Sequence, residues 1–329
     1  MNRTTIAILG ATSHIAKGLI YNFAICGEFN LHLYTRSAQS VLTFINSIGT
    51  TPGEACVIHE GYDQFSKHPY DVIINCVGAG TANILQGDFT VYFTLTEEYD
   101  NLAITYLLNR CHEALYLSFS SGAVYGREHS APVVEDSVNP VKVNFIEPED
   151  YYSIVRLNAE AKHRAYKHLK IVDLRLFSYF SRFIDLQDGY FITDLMNSML
   201  KNEVLVTDST NMIRDYLHPK DLFAMVIECI KAGHINTAFD VISAKPVEKY
   251  DILDYFSSQY GLKYETVQSR VNLSATGSKN VYCSKCRSAA RIGYTPEFSS
   301  MDTIVHEAQH ILSGFKPENG VNECIPNRY

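Results

Sequence analysis

Six short apolar runs, at 4–9, 31–34, 55–59, 72–77, 114–119 and 171–177, punctuate the first half of the chain, with longer segments between them. Several of those segments, at 14–26, 99–111 and 152–168, carry helical periodicity. The connections are too long for hairpins, and a strand that must run in the same direction as its predecessor needs a crossover, usually a helix. The pattern predicts an α/β fold, a doubly wound parallel sheet with right-handed crossovers. After residue 177 the segments shorten, and a run at 238–242 reads as a late strand returning to the sheet. The expected organisation is a dinucleotide-type domain over 1–178, with a return segment at about 215–245, and a smaller lobe from 179–214 and 246–329. The polar, proline-bearing stretch 126–150 reads as a long loop.

At 329 residues the chain can bury one large core or two modest ones. A net charge of −8 argues against a nucleic-acid partner, which calls for a basic face. No apolar run approaches the ~18 residues of a membrane span, and the N-terminus lacks the pattern of a cleaved leader. A cytoplasmic location is expected. The eight cysteines are scattered, several within apolar runs, and read as reduced thiols. Cys283 and Cys286 form the single C-x-x-C, without the second ligand pair of a zinc site, and the twelve histidines show no clustering along the chain. No metal is expected.

The first run leads into Gly10-Ala11-Thr12-Ser13-His14-Ile15-Ala16-Lys17-Gly18. A tight turn from a first strand into a helix brings backbone N–H groups and the helix N-terminus onto a pyrophosphate. Only Gly10 stands where the three-glycine fingerprint expects it; Ser13 and Ala16 take the second and third places, and Gly18 comes two residues late. Gly10, Thr12, Ser13, His14 and Ile15 are therefore candidates for cofactor binding in a Rossmann fold. After the second run, Thr35-Arg36 replaces the acid that bonds the ribose of NAD. Losing that carboxylate and gaining a guanidinium suits a 2′-phosphate, so NADP(H) is favoured, with NAD(H) as the alternative. Asp63 has two readings, a contact to adenine or a cap on a turn, and His218 divides likewise between pocket and packing.

Tyr152 and Arg156 sit four apart at the head of a helical segment, hence on one face. A fixed cation beside a phenol favours the phenolate and suits the tyrosine to general acid/base work. The segment Ser120-Ser121-Gly122-Ala123-Val124-Tyr125-Gly126, a strand end running into a turn, presents hydroxyls that could complete a proton-transfer site.

Taken together, these segments resemble the extended short-chain dehydrogenase/reductase superfamily, in its nucleotide-sugar epimerase/reductase/dehydratase branch. The resemblance covers almost the whole chain. It places the catalytic hydroxyl on Ser121, with Ser120 and Gly122 against substrate, and it pairs Tyr152 with Arg156 where the family has Y-x-x-x-K. It puts Asn75, Val77 and Gly78, in the turn 75–80, beside the cofactor ribose. It also assigns Asn101 to support of the site, Ser178 to the cofactor side and Arg214, in Arg214-Asp215-Tyr216-Leu217-His218-Pro219-Lys220-Asp221, to a sugar-nucleotide diphosphate. Ala290-Arg291-Ile292-Gly293-Tyr294-Thr295-Pro296 is similar to its C-terminal signature. The implied assembly is a homodimer through helices 99–111 and 152–168.

The chain departs from the family twice. Arginine keeps the charge of the lysine but offers a planar fork instead of a point ammonium. The serine segment has Gly122 and Ala123 where the dehydratases carry an acidic pair, so 4,6-dehydration is not expected. What remains is hydride transfer at a sugar carbon with Tyr152 as acid/base. Reduction of a 4-keto (6-deoxy) nucleotide sugar by NADPH ranks first, an NAD-retaining 4-epimerase second. A non-catalytic dinucleotide sensor is the reading from another class, and it leaves Ser121, Tyr152 and Arg214 without a use.

Overall fold

The computed structural model describes residues 3–49, 55–78, 85, 87–127, 129–268 and 280–313. Ala79 and Gly80, which close the turn expected after the fourth strand, lie outside them, as does Cys324. Seven strands form one parallel sheet: β1 (Thr4–Leu9), β2 (Phe29–Thr35), β3 (Cys56–Glu60), β4 (Val72–Asn75), β5 (Leu115–Ser121), β6 (Lys170–Leu176) and β7 (Asn236–Val241). Their order is β7-β6-β5-β4-β1-β2-β3, so the chain reverses its direction of travel between β1 and β4. A crevice opens at such a reversal, beyond the C-terminal ends of the strands.

Alternation along each strand separates two cores. Ile6 and Ile8 of β1, Leu31 and Leu33 of β2 and Val72 and Ile74 of β4 pack with helices α1 (His14–Cys26) and α2 (Ala38–Ser47). Ala7 and Leu9, Tyr34 and Ile73 point the other way, onto helix α3 (Thr90–Asn109). Helix α4 (Pro148–Ala165) lies beside α3. Helix α5 (Phe191–Lys201) belongs to a separate core, while α6 (Pro219–Lys231) returns to the α1 side, with Phe223 edge-on to Phe23 at 5.0 Å between centroids. Helices α7 (Lys249–Tyr260) and α8 (Ser300–Ile311) complete the separate core with Phe180, Leu195, Phe256 and Ile304.

Three elements differ from the sequence reading. Helix α2 fills the second crossover, for which the sequence reading sets no helix bounds. Helix α3 starts at Thr90 instead of 99, and α4 at Pro148 instead of 152. The earlier start of α4 has a local cause: Pro148 needs no N–H partner in the first turn, and Asp150 accepts from the Glu147 N–H at 3.1 Å. The late glycine of the first turn also finds its reason. A Cβ on Gly18 would stand 1.9 Å from the Tyr179 hydroxyl, so this glycine lets α1 close on the strand Ser178–Tyr179.

Where α4 meets β5 and β6 the interface is charged. Ser120 donates to Glu160 at 2.6 Å, and Arg175 holds Glu160 through Nε and a terminal nitrogen at 3.0 and 2.5 Å. His163, fully buried, pairs with Asp173 at 2.8 Å and Asp100 at 2.6 Å. Asp100 also receives Lys162 and the Tyr116 hydroxyl, and Tyr116 in turn accepts from Asn75 at 3.1 Å. Burial alone would lower the His163 pKa; the hydrogen bonds and charges of Asp100 and Asp173 overcome it and raise the value to about 9. A raised histidine pKa contributes stability that is fully present below the ordinary value near 6.5 and lost as pH passes through about 9. The unfolding free energy from urea titrations should therefore fall between pH 7 and 9, by at most about 1.4 kcal/mol per pH unit from this group. His163→Gln should be less stable throughout and lose that part of the slope; a wild-type slope kept in full by the variant would assign it elsewhere.

Candidate active site

The C-terminal ends of β1, β4 and β5 carry three of the turns singled out in the sequence. Gly10 adopts φ +71°, and a Cβ there would lie 3.0 Å from Val77 Cγ2 and 3.1 Å from the Cys76 carbonyl carbon. The turns after β1 and β4 thus meet with no room for a side chain. Asn75 shapes the second turn, its Oδ1 accepting from the Val77 N–H at 3.0 Å. A Cβ on Gly78 would come within 3.2 Å of an Arg156 terminal nitrogen. Gly10, Val77, Gly78 and the arginine of α4 are therefore successive neighbours along the crevice expected at the strand ends.

Arg156 donates to the Phe119 carbonyl of β5 at 3.1 Å and lies over the Tyr152 ring, its guanidinium carbon 5.1 Å from the centroid. The i, i+4 geometry expected from the sequence is present, with the cation on the face of the phenol. Tyr92 of α3 packs on the ring from another side at 5.2 Å. The Tyr152 hydroxyl makes no hydrogen bond among the described residues. Ser121 ends β5, accepts from the Ala123 N–H at 3.2 Å and exchanges a 2.8 Å hydrogen bond with the Tyr282 hydroxyl.

Tyr282 went unnoticed in the sequence. It sits in the short strand Val281–Tyr282, in register with Arg214 of the strand Ile213–Arg214. Burial raises its pKa, and the neighbouring Tyr152 phenol opposes its ionisation further while Arg214 eases it. One buried tyrosine therefore stands beside Ser121, Tyr152 and Arg214, each of them more than 60 residues from it along the chain. Nothing in the sequence marks one tyrosine of 22, since strand pairing alone brings it there. Arg214 is half-buried, donates to the Ile213 carbonyl at 3.0 Å, and burial lowers its pKa.

Other assigned residues fall in different settings. Ser120 faces away from Ser121, as successive strand residues do, and its hydroxyl is spent on Glu160; placing it against substrate was a misreading of the strand's two faces. Gly122 presses on Phe177, whose ring a Cβ would meet at 2.4 Å, so this glycine serves packing. Asn101 is exposed and accepts from Lys162 at 3.2 Å, while its neighbour Asp100 is the residue turned inward. Ser13 caps α1 through the Ala16 N–H, Thr12 is exposed, and Ile15 packs at the edge of the α1 core. His14 bonds the Ser181 hydroxyl at 2.7 Å and rests on the Tyr179 ring; burial, then the charge of Lys17, lowers its pKa to about 3. Ser178 pairs with Tyr216 in the two-stranded ribbon beside α1. His218 is buried, caps α6 by accepting from the Lys220 N–H and stacks on Phe298 at 3.8 Å, which settles it as a packing histidine.

At the end of β2 no acid is present. Thr35 is buried and closes the turn by accepting from the Ser37 N–H at 3.1 Å. Arg36 is exposed and forms no hydrogen bond or ion pair among the described residues. Its charge reaches Tyr62 and Tyr99, whose rings meet edge-on at 4.8 Å. Asp63 is exposed, on the rim of a depression shared with Tyr62, Tyr99 and Asn101. The crowded Gly10 turn, the helix N-terminus after it and the free cation at the end of β2 fit a dinucleotide.

A model of the NAD dependent epimerase/dehydratase family matches residues 55–241. The chain belongs to this family of enzymes. No curated protein sequence matches it. Among solved structures, UDP-glucuronic acid 4-epimerase from Bacillus cereus, in complex with UDP-glucuronic acid and NAD, is similar over 95% of this chain and 100% of its own, at 17% identity and a TM-score of 0.77. UDP-N-acetylglucosamine 4-epimerase from Methanobrevibacter ruminantium is similar over 96% and 100%, at 15% identity and 0.78. A dTDP-glucose 4,6-dehydratase from Bacillus anthracis, in complex with NAD, reaches 0.73 at 14% identity, over 94% and 97%. These likenesses bear out the Rossmann fold, and the family match bears out the resemblance read from the sequence. Among the described residues no helix is long and apolar enough to cross a membrane.

The geometry generates a test of the tyrosine. Tyr152→Phe should keep cofactor binding and lose about 10²–10⁴ in turnover, the usual worth of a positioned acid/base. Arg156→Lys should remain active because it keeps the cation, and Arg156→Met should not. Steady-state rates with cofactor affinity measured in parallel decide it; near wild-type turnover by Tyr152→Phe would remove the tyrosine from the chemistry.

Proposed function

We propose that the protein transfers a hydride between a nicotinamide dinucleotide and C4 of a nucleotide-activated sugar, with Tyr152 moving the proton of the sugar oxygen. The observation that carries this reading is the convergence of Ser121, Tyr152 and Arg214 on Tyr282, next to the crevice that runs from Gly10 to Arg156. When bound, the nicotinamide supplies or accepts the hydride. Gly10 lets the turns after β1 and β4 close together at the head of α1, where the helix N-terminus can take the pyrophosphate, and Arg156, against Gly78, holds a positive charge at the inner end. Ser121 polarises the sugar oxygen through its hydroxyl, relayed to Tyr282, and Tyr152 donates or accepts the proton. Arg214 takes the diphosphate of the nucleotide, as a guanidinium can by paired hydrogen bonds.

Within this chemistry we rank NADPH-linked reduction of a 4-keto sugar first, because Arg36 is unpaired at a β2 end without an acid. A 4-epimerase that retains NAD is the second reading, favoured by the likeness to NAD-bound 4-epimerases.

Denaturing the purified protein and analysing the released nucleotides separates the two. A reductase should release little nicotinamide and oxidise NADPH in step with a nucleotide 4-keto-6-deoxy sugar. Arg36→Ala should then weaken NADPH by roughly 10- to 100-fold and barely change NADH. Stoichiometric NAD in the released pool, with interconversion of unmodified nucleotide hexoses, would reverse the ranking; equal loss for both cofactors would assign Arg36 to packing over the adenine.

A further inference from the structure

Histidines that show no clustering along the chain meet in space. His32 lies on β2, His59 on β3, and His68 just past the 3-10 turn Phe65–Lys67. The strands stand in register with Tyr34 opposite His59, which brings His32, two residues earlier, diagonally beside it. His32 Nδ1 and His59 Nε2 are 3.0 Å apart, and the His68 ring centroid is 5.0 Å from each of the other two. One ring nitrogen from each of the three falls within 4.8 Å of the others. We propose that His32, His59 and His68 form a binding site for a divalent cation of the zinc class at the β2–β3 edge of the sheet.

Several features support this assignment. Imidazole nitrogens are common ligands of zinc and its neighbours, and three of them with one water make an open tetrahedral site. Bonds of 2.0–2.1 Å at tetrahedral angles put ligand nitrogens about 3.3 Å apart. The His32–His59 pair is already near that spacing, and the third ligand, within 4.8 Å of the others, needs a shift of at most about 1.5 Å, within reach of a side chain on a turn. On metal binding the proton between His32 and His59 would move to the other nitrogen of the donor ring, so that both facing nitrogens of the neutral rings carry a lone pair for the metal. All three residues are partly exposed, so solvent reaches the fourth position. Below them Tyr34 stacks on His59 at 4.4 Å and Tyr70 meets His32 edge-on at 5.4 Å, which fixes two of the rings from behind.

The other histidine cluster is unlike it. His218, His306 and Glu307 also converge, but Arg182 holds Glu307 at 2.7 and 2.9 Å and supplies the positive charge a metal would bring.

The site joins the terminal strand β3, its neighbour β2 and the turn before β4, far along the sheet from Ser121. A cation there binds only the folded arrangement and so stabilises it. The test uses the full chain freed of metal by a chelator and titrated with Zn²⁺ against a chromophoric indicator. One equivalent should bind, and Zn²⁺ should raise the melting temperature. His59→Gln and His68→Ala should each weaken binding at least tenfold and abolish the thermal shift, while His306→Ala should change neither. Wild-type protein loaded with Co²⁺ should show d–d bands of a nitrogen and oxygen site without thiolate charge transfer, a reading independent of how the variants fold. Unchanged Zn²⁺ affinity in folded His59→Gln and His68→Ala, or a thiolate band from Co²⁺, would overturn the proposal.

Discussion

Helix α4 carries Tyr152 and Arg156, and it rests on the sheet through charge. Ser118, Ser120, Asp173 and Arg175 alternate onto the faces of β5 and β6 that an ordinary α/β protein fills with Val and Leu. Glu160, His163 and Arg164 meet them from the helix, with Arg164 donating to Asp173 at 2.9 Å. Buried ion pairs of this kind add little net stability over a well-packed apolar contact, because desolvation offsets the attraction. Their effect is positional: a helix that slid by one residue would strip Asp173 and Glu160 of their partners and leave Asp100 with Tyr116 alone, at several kcal/mol. The register of α4 is therefore fixed, and with it the height of the Tyr152 ring above the end of β5.

The same constraint links the helix to the crevice. Asn75, whose Oδ1 shapes the turn that meets Gly10, donates its other end to Tyr116, and Tyr116 bonds Asp100 of the charged cluster. One chain of hydrogen bonds thus runs from the turn after β4 to His163 on α4. Substitution at Asp100 or Tyr116, neither of them in the crevice, would reach both ends.

Much of this was legible in the sequence. The apolar runs gave the strands because buried parallel strands are apolar on both faces, and β1 was read at its observed limits. The Tyr152–Arg156 pair followed from helical spacing, and the missing acid at Thr35-Arg36 was plain in the residues. Ser120 was misplaced because hydroxyls side by side in a strand face opposite ways, and sequence alone does not say which faces the site. Tyr282 and the three histidines were out of reach for a different reason. Their neighbours are set by strand register and by a turn returning to a sheet edge, and Tyr282 is 161 residues from Ser121 along the chain. Local periodicity carries no information about such pairings. The first turns of α3 and α4 fell between these cases: Glu147-Pro148-Glu149-Asp150 is a readable helix start, hidden inside a stretch whose polarity suggested a loop.

The central claim is that carbon-bound hydrogen at the sugar reaction centre moves as hydride to or from a nicotinamide, while Tyr152 handles only the proton on oxygen. Turnover in D₂O with a nucleotide sugar substrate, followed by NMR or mass analysis of the product, tests it most directly. The account predicts no solvent deuterium at C4, and deuterium at that carbon when cofactor or sugar deuterated at the transferred position is used. Solvent deuterium at C4 would show that the carbon exchanges as an acid, and would contradict hydride transfer at this site.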